Sequence, residues 1–501
     1  MTVTNDIEPA LTERSRRRAE VRNVIKVAIP VVITTSSRAV MDIADYVMIT
    51  QLRLPEAQAA ILPAQVVMWS YIVLGFGIAS MVNTFAAQSL GRKQYRECSA
   101  YAWQALYLAV AFGLLGLAFR PFLPDLIELF AHAPRVQAME LAYADVAVLT
   151  VAPTIAAFAL GWFFVGVHRP RITMWSAIEA NVVNITVSYV LIFGRLGFEP
   201  MGIAGAAWGT FAAVCYRTVR LGLTMLAPSM DRVFASRSTW RPSRRRLLEL
   251  LRVGLPCGFQ FVCEVVVWAI FINVLVGTKF GTIHQIATNT AWQYMRIAFL
   301  PTVGVGQALT ALVGKSIGAG EPTRAIREAR VAVFITFLYM GGLSVLYFFK
   351  GAWLISLFNA DPEVVRIGAW VMICAAVFQL FDAFGIQYSA ALRGAGDTFV
   401  PSVFFIISHW VIVVGGGWFI AVRYPQLGSL GPWLAASGLI VITGIFLWWR
   451  WHCRAWMNMT IFSPASDSEE PTVTIGAPGD VLRDSSSSRI RPARKPESEL
   501  A

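Results

Sequence analysis

Two carboxylates stand within long apolar stretches of the sequence, and neither has a basic partner nearby along the chain. Glu264 falls near the middle of residues 251–275, and Asp382 falls within the apolar segment 364–391. No Lys or Arg stands three or four residues from either acid, so no ion pair along a helix neutralises them. A charge at membrane depth costs about 3 kcal/mol unless it faces protein, water or a bound ion. Both acids are therefore candidates to exchange a cation, either Na⁺ or H⁺.

Helical spacing groups other polar side chains with these acids. Pro256, Gln260, Glu264 and Trp268 recur every four residues, which places them on one face of a helix. We expect a cavity on this face, with Gln260, Trp268 and Gln379 beside the two acids. Na⁺, if it is the coupling ion, would be bound by the two carboxylates.

A second set of charges lies in the first apolar segment. Arg38, Asp42 and Asp45 are spaced by four and three residues and so share one helical face. An Arg38–Asp42 pair would leave the charge of Asp45 uncompensated, and the spacing allows either a coupling role or a structural role. Arg296 can neutralise an acid across the cavity or extend to the membrane interface. Both alternatives are open at this stage.

The composition is that of a membrane protein with many spans. Of 501 residues, 56% are hydrophobic and only 14% are charged, against about 25% charged in soluble domains. The net charge of +12 comes mostly from short connections between apolar segments, so it indicates topology rather than nucleic-acid binding. No Cys/His metal spacing and no Walker A motif occurs, so we expect no enzyme, no cofactor and no ATP-driven pump.

About twelve apolar segments are long enough to cross a bilayer. They lie at roughly 22–49, 57–88, 98–119, 138–166, 172–194, 202–227, 247–277, 284–314, 328–350, 364–391, 400–422 and 432–456. The more basic connections alternate along the chain and contain Arg92 to Arg96, Arg169 and Arg171, Arg217 to Arg252, Lys315 to Arg330, and Arg393. The positive-inside rule then places both termini in the cytoplasm, which favours a multi-pass protein of the bacterial plasma membrane.

The spans form two related halves. Pro30 and Pro256 begin similar segments 226 residues apart, and Gly91 and Gly318 close similar segments 227 residues apart. Halves with an even number of spans share one orientation, so the sequence predicts an all-α protein of two pseudo-symmetric six-helix bundles around a central cleft. The predicted divisions are a tail 1–21, a bundle 22–227, a basic linker 228–246, a bundle 247–456 and a disordered tail 457–501. Pro30 and Pro256 would allow their helices to bend.

Six segments in order give a family resemblance over about residues 22–456. They are VMDIADYVMITQL, AAQSLGRKQYRECSAYAWQAL, NITVSYVLIFG with PMGIAGAAWGT, VGLPCGFQFVCE, VGKSIGAGEPTRAIREAR and QLFDAFGIQYSAALRGAGDTFVP. This pattern resembles the multidrug and toxic compound extrusion (MATE) family, NorM-type branch. The resemblance implies coupling roles for Glu264, Asp382 and Asp45, and a polar cavity position for Asn184. Phe378 and Arg38 depart from it, because the family commonly has a tyrosine and a neutral polar residue there.

The resemblance implies a monomeric antiporter that exports cationic or amphipathic organic compounds in exchange for Na⁺ or H⁺. Two alternatives stay open. A flippase of the same superfamily would move a lipid-linked saccharide or peptidoglycan precursor and would line its cavity with several positive charges. A membrane-embedded transferase would instead form a product. The coupling ion and the substrate are not specified by the sequence.

Overall fold

The computed structural model describes residues 13–128 and 132–463, and within these residues it contains helices and no strand. Eleven of the described helices are long and apolar enough to cross a membrane. A twelfth, Ile203–Met225, has spanning length but contains Arg217 and Arg220, which make it less apolar. The predicted all-α architecture with about twelve spans is confirmed.

We number these long helices in chain order. They are α1 Glu13–Thr50, α2 Pro55–Gly91, α3 Tyr95–Phe119, α4 Pro134–Gly166, α5 Pro170–Phe193, α6 Ile203–Met225, α7 Arg244–Thr278, α8 Thr282–Gly318, α9 Pro322–Ser356, α10 Pro362–Ala395, α11 Phe399–Arg423 and α12 Leu430–His452. Helices α1–α6 form the first half and α7–α12 the second half.

Proline and glycine set many of the helix ends. Pro55, Pro134, Pro170, Pro322 and Pro362 each stand in the first turn of a helix, where the missing N–H removes no hydrogen bond. Gly194 and Gly396 end α5 and α10 with φ of 65° and 91°, in the left-handed region that favours glycine. The last turns of α7 are wide π-helical turns over Phe271–Thr278. Such turns often lie near functional sites.

The first helix of each half crosses the second helix of the other half at a glycine. A Cβ on Gly77 of α2 would lie 2.5 Å from the Cα of Gly258 in α7. A Cβ on Gly304 of α8 would lie 2.7 Å from the Cα of Val32 in α1. Because Gly77 and Gly304 stand 227 residues apart, the interval of the sequence repeat is visible in the packing.

The two halves also meet where α2 and α8 end. A Cβ on Gly91 would lie 2.2 Å from the carbonyl oxygen of Lys315, and a Cβ on Gly318 would lie 2.1 Å from that of Gln88. The Gln88 amide Nε2 donates to the carbonyl oxygen of Gly394 at 2.9 Å. We call this side of the molecule the terminal end, because α1 begins and α12 ends there. The contact of α2 with α8 closes the cleft at the terminal end.

The predicted linker 228–246 is packed against the protein. It contains a short helix, Pro228–Phe234, and its Ser236 carbonyl accepts a hydrogen bond from Trp103 Nε1 at 2.8 Å. The backbone N–H of Ser243 donates to Gln104 Oε1 at 3.0 Å. The polar composition of the linker therefore reflects hydrogen bonding to α3 and its neighbours.

The predicted disordered tail 457–501 was placed to begin too early, because residues 457–463 pack against the terminal end. We call residues 455–463 the C-terminal strap. Trp456 stacks on Trp451 of α12 at 4.3 Å and is 1% exposed. The Phe462 ring contacts Phe85 of α2 at 5.6 Å, and Ile461 is buried beside Gly396. The strap thereby links α12 to the first half. Residues 1–12 and 464–501, which include most of both predicted tails, lie outside the described residues.

Substituting Gly318 by Ala tests the helix contact at the terminal end. The added methyl group would meet backbone at 2.1 Å and force α2 and α8 apart, which should destabilise the protein by about 1 to 3 kcal/mol. Thermal unfolding in detergent measures this loss. Gly342→Ala is the control, because a Cβ at that helical position meets nothing within 4 Å. Equal stability of the two variants would contradict the close approach.

Deleting residues 455–501 tests the strap. The deletion removes the buried Trp456 side chain and the contacts of Ile461 and Phe462, and loss of one buried Trp alone should cost about 3 to 5 kcal/mol. A deletion of 464–501 is the matched control, since it leaves all the described strap contacts in place. The melting temperature in detergent should fall further for the longer deletion. The same melting temperature for both would show that the strap does not contribute to stability.

Candidate functional site

A cavity of about 270 Å³ lies in the second half, between α7, α8, α10 and α11. The six cavity and coupling residues predicted in this half all line it: Gln260, Glu264, Trp268, Arg296, Gln379 and Asp382. They come from three helices that are far apart in the sequence. Gln260, Glu264 and Trp268 share the helical face that their spacing predicts, and the fold brings this face together with Arg296 of α8 and Gln379 and Asp382 of α10.

The two carboxylates of the cavity have no ion-pair partner. Asp382 is 9% exposed and Glu264 is partly buried, and among the described residues neither has a Lys, Arg or His nitrogen within 4.0 Å. Both acids line the same cavity, where two negative charges repel each other. A cation between them would relieve this repulsion, so the pair could bind H⁺ or a metal ion of low charge.

A glutamine stands about one turn before each acid. Gln260, one turn before Glu264, accepts a hydrogen bond from Ser402 Oγ of α11 at 3.0 Å. Gln379 is buried one turn before Asp382. Among the described residues no group of three or more His, Cys, Asp or Glu could hold a metal ion. A Na⁺ here would therefore also need amide, carbonyl or water oxygens.

One wall of the cavity is aromatic. The Trp268 ring lies 4.9 Å from that of Trp292 and 6.1 Å from that of Phe378. Phe378, which stands where the family commonly has a tyrosine, presents only ring carbon to the cavity. Aromatic faces suit flat apolar cations through stacking and cation–π attraction. The cavity thus combines negative charge with an apolar surface.

Sequence reasoning missed two titratable residues of this cavity. Arg393 was assigned to a connection between spans, but α10 continues to Ala395 and Arg393 lines the cavity. It follows Asp382 by eleven residues, three helical turns, so its position on the same face could have been read from spacing. His409 of α11 also lines the cavity and stacks on Phe405 at 3.6 Å. Four charged side chains therefore line this cavity: Glu264, Asp382, Arg296 and Arg393.

A second polar cluster lies in the first half, around Asp45. This carboxylate is 3% exposed and accepts hydrogen bonds from Ser188 Oγ at 3.2 Å and Thr210 Oγ1 at 3.3 Å. The amide of Asn184, with its nitrogen turned toward the acid, donates to Asp45 Oδ1 at 3.2 Å. Asp45 and Asn184, predicted from separate spans, thus meet. The groups that donate hydrogen bonds to Asp45 are neutral, so these bonds stabilise its negative charge without an ion pair.

Arg38 and Asp42 form the pair that their spacing predicted. Arg38 Nε lies 3.0 Å from Asp42 Oδ1, and the Arg38 side chain remains 44% accessible. The two acids left unassigned have partners on exposed surfaces. Asp145 pairs with Arg120 at 2.7 Å, and Glu179 pairs with Arg220 at 3.3 Å.

Arg217 corrects the assignment of basic residues to connections. It was counted with the connection that follows the sixth span, but it lies within α6, and its guanidinium stands 5.9 Å from the ring of Phe158 in α4. Its Nε is buried without a hydrogen-bond partner. Arg217 stands eight residues before the end of α6, so a count of basic residues alone could not show that it belongs to the span.

Both predicted hinge prolines lie inside their helices, Pro30 in α1 and Pro256 in α7. Each stands two residues before an inter-half crossing, at Val32 and at Gly258. Proline leaves a carbonyl one turn earlier without its helical donor, which permits bending at this point.

Comparison with known proteins agrees with this arrangement. The probable multidrug resistance protein NorM of Chromobacterium violaceum is 27% identical over 442 residues, which cover 87% of this chain and 94% of the relative. The multidrug resistance protein PmpM of Pseudomonas aeruginosa is 26% identical over 87% of this chain and 91% of its own length. Among solved structures, an outward-facing multidrug resistance MATE transporter has a TM-score of 0.79 at 21% identity, and the eukaryotic MATE transporter AtDTX14 has 0.76 at 17%; each match covers 88% of this chain and 97% of the other. These structural likenesses show the two-bundle fold.

The family model described as MatE matches residues 30–190 and 256–419. The two matched segments begin at Pro30 and Pro256, the landmarks of the internal repeat, and together they cover more than half of the sequence. The chain belongs to the MatE family, within which it is similar to NorM-type multidrug resistance proteins.

Proposed function

We propose that this protein is a secondary active transporter that exports cationic or amphipathic organic compounds in exchange for Na⁺ or H⁺. The observation that carries the proposal is the cavity in which two unpaired carboxylates face an aromatic wall. Relatives named multidrug resistance proteins support the same substrate class. Family membership favours transport over the transferase alternative.

Glu264 and Asp382 are the proposed coupling residues. A cation bound between them would stabilise one conformation over the other, and exchange requires only that cation and substrate prefer different conformations. Asp45 is the second candidate, although its three neutral donors equally suit a structural role. Gln260, Gln379, Trp268 and Arg296 would contact the substrate, as would Asp42 and Arg38 in the first half. Asn184 is fully buried against Asp45, so its role would be to position this acid.

We further infer that this structure is the outward-facing conformation, in which the cleft is closed on the cytoplasmic side. The α2–α8 contact closes the terminal end, and the positive-inside rule makes this end cytoplasmic. The likeness to an outward-facing transporter supports this inference. Pro30 and Pro256 would bend during the change to the other state. We expect a monomer in the bacterial plasma membrane.

A flippase for a lipid-linked pyrophosphate is the second candidate. One observation favours it: Arg217 and Arg393 join Arg38 and Arg296 inside the spans, so the interior is more positive than its sequence indicated. Preferential binding of a polyprenyl diphosphate over ethidium by the purified protein would select the flippase.

Replacing Glu264 by Gln or Asp382 by Asn should abolish coupled export. Loss of the charge removes the differential cation affinity, so ethidium efflux from proteoliposomes should fall by more than about tenfold while the protein stays folded. Glu179→Gln is the matched control, because Glu179 pairs with Arg220 away from the cavity. Efflux at the control rate in both cavity variants would contradict the coupling assignment.

Separately imposed gradients should identify the coupling ion. Proteoliposomes given only a Na⁺ gradient or only a pH gradient should accumulate ethidium with at least one of them, since a carboxylate pair can bind either cation. The same gradient should then fail with Asp382→Asn. Failure of both gradients with the unaltered protein would contradict secondary active transport.

A further inference from the structure

Two arginines face the interior of the first half. Arg38 precedes Asp45 by seven residues, two helical turns, and so lies on the same face of α1 as this buried acid. Val40, Ile43 and Val47, which are exposed, lie on the opposite side of the helix. The 44% accessibility of Arg38 therefore reflects an opening toward the cleft, and not contact with lipid.

Of the two arginines, Arg217 has fewer hydrogen-bond and ion-pair partners. Its Nε is buried without a hydrogen bond, and among the described residues no carboxylate oxygen lies within 4.0 Å of its guanidinium. Asp45 of α1 contacts Thr210 of α6 at 3.3 Å, and these two helices run in opposite directions. Arg38 stands seven residues before Asp45 and Arg217 seven residues after Thr210, so the two arginines lie at the same level of adjacent helices. An unpaired cation within a membrane span is costly and marks a functional site by default.

The acids of the first half do not neutralise Arg217. Asp42 is paired with Arg38 at 3.0 Å. Asp45 is enclosed by Asn184, Ser188 and Thr210, which are neutral donors. Arg217 thus lies within a span without a counter-ion among the described residues.

An aromatic wall connects Arg217 with the cavity of the second half. The guanidinium lies 5.9 Å from the ring of Phe158, and Phe158 contacts Phe76 at 4.9 Å. Phe76 in turn contacts Phe261 of α7 at 5.3 Å, and Phe261 lines the cavity that holds Glu264. The Arg217 guanidinium therefore lies at one end of this aromatic wall, and the unpaired carboxylates of Glu264 and Asp382 lie at the other end.

We propose that Arg217, with Arg38 beside it, binds the carboxylate of a zwitterionic amphipathic substrate. The aromatic body of such a compound would lie along Phe158, Phe76 and Phe261, and its cationic group would point to the acids of the second half. Guanidinium matches a carboxylate with two parallel hydrogen bonds, which gives both charge and geometric selection. This inference rests on the proposed export function and narrows its substrate class.

Rhodamine B and its ethyl ester form a matched pair of test substrates, since the ester keeps the cationic ring system and lacks the carboxylate. In proteoliposomes, Arg217→Gln should raise the KM for rhodamine B by about tenfold or more, as expected when a charged hydrogen-bond donor is lost. The KM for the ester should stay unchanged. Arg217→Lys, which keeps the charge, should fall between the two for rhodamine B. Arg220→Gln, three residues away on an exposed surface, is the control variant.

The possible outcomes separate this inference from the proposed function. An equal loss for both dyes in Arg217→Gln, repeated in Arg38→Gln, would mean a structural role and overturn the site. Transport of the ester alone by the unaltered protein would also overturn it, while leaving cation export intact. Transport of neither dye, with tight binding of a polyprenyl diphosphate, would overturn the export function itself. A KM rise confined to rhodamine B in both arginine variants supports the site.

Discussion

The close approach of helix backbones at glycine is the constraint on which the rest of this structure depends. Lipid provides no hydrophobic drive for helices to associate, so contact between the halves relies on small residues that let backbones meet. The two bundles contact each other at the helix crossings of Gly77 and Gly304. They also contact each other at the terminal end, through Gly91 and Gly318. The remaining space between the bundles is the cleft. Three of the helices that meet at these glycines, α1, α7 and α8, also carry Arg38, Glu264 and Arg296.

The two halves share a fold but differ in which partners stabilise their acidic side chains. In the first half, Asp45 is held by neutral hydrogen-bond donors and Asp42 by Arg38. In the second half, Glu264 and Asp382 remain unpaired although two arginines line the same cavity. Two similar halves thus differ in their charges. The first half contains a buried, hydrogen-bonded acid and an unpaired arginine, and the second half contains two unpaired acids. This asymmetry is what allows the two halves to bind different chemical groups.

Much of this arrangement could be predicted from the sequence, because it follows from periodicity. Helical spacing placed Gln260, Glu264 and Trp268 on one face, and the repeat interval predicted which helices correspond. Arg393 stands two residues before the end of α10, where counting basic residues cannot tell an inward side chain from a loop. Arg217 stands eight residues before the end of α6, and the count did not separate it from the basic connection that follows. The strap was missed because Ile461 and Phe462 are two apolar residues beside a long polar segment. Contacts such as Phe76 with Phe261 depend on inter-half packing, which no local pattern contains.

The positions of the hinge prolines suggest how ion binding could act on the cleft. Pro256 stands two residues before Gly258, where α7 crosses α2, and eight residues before Glu264, about 12 Å along the helix. A bend at Pro256 would therefore pivot at the crossing and carry Glu264 sideways relative to Asp382 on α10. A cation shared by these carboxylates would favour the bend that brings them together, and repulsion would favour the other once the cation leaves. Because α7 also crosses α2 of the first half, a bend at Pro256 would change the position of the two halves relative to each other. In this scheme the coupling acids and the crossing act together because one helix carries both.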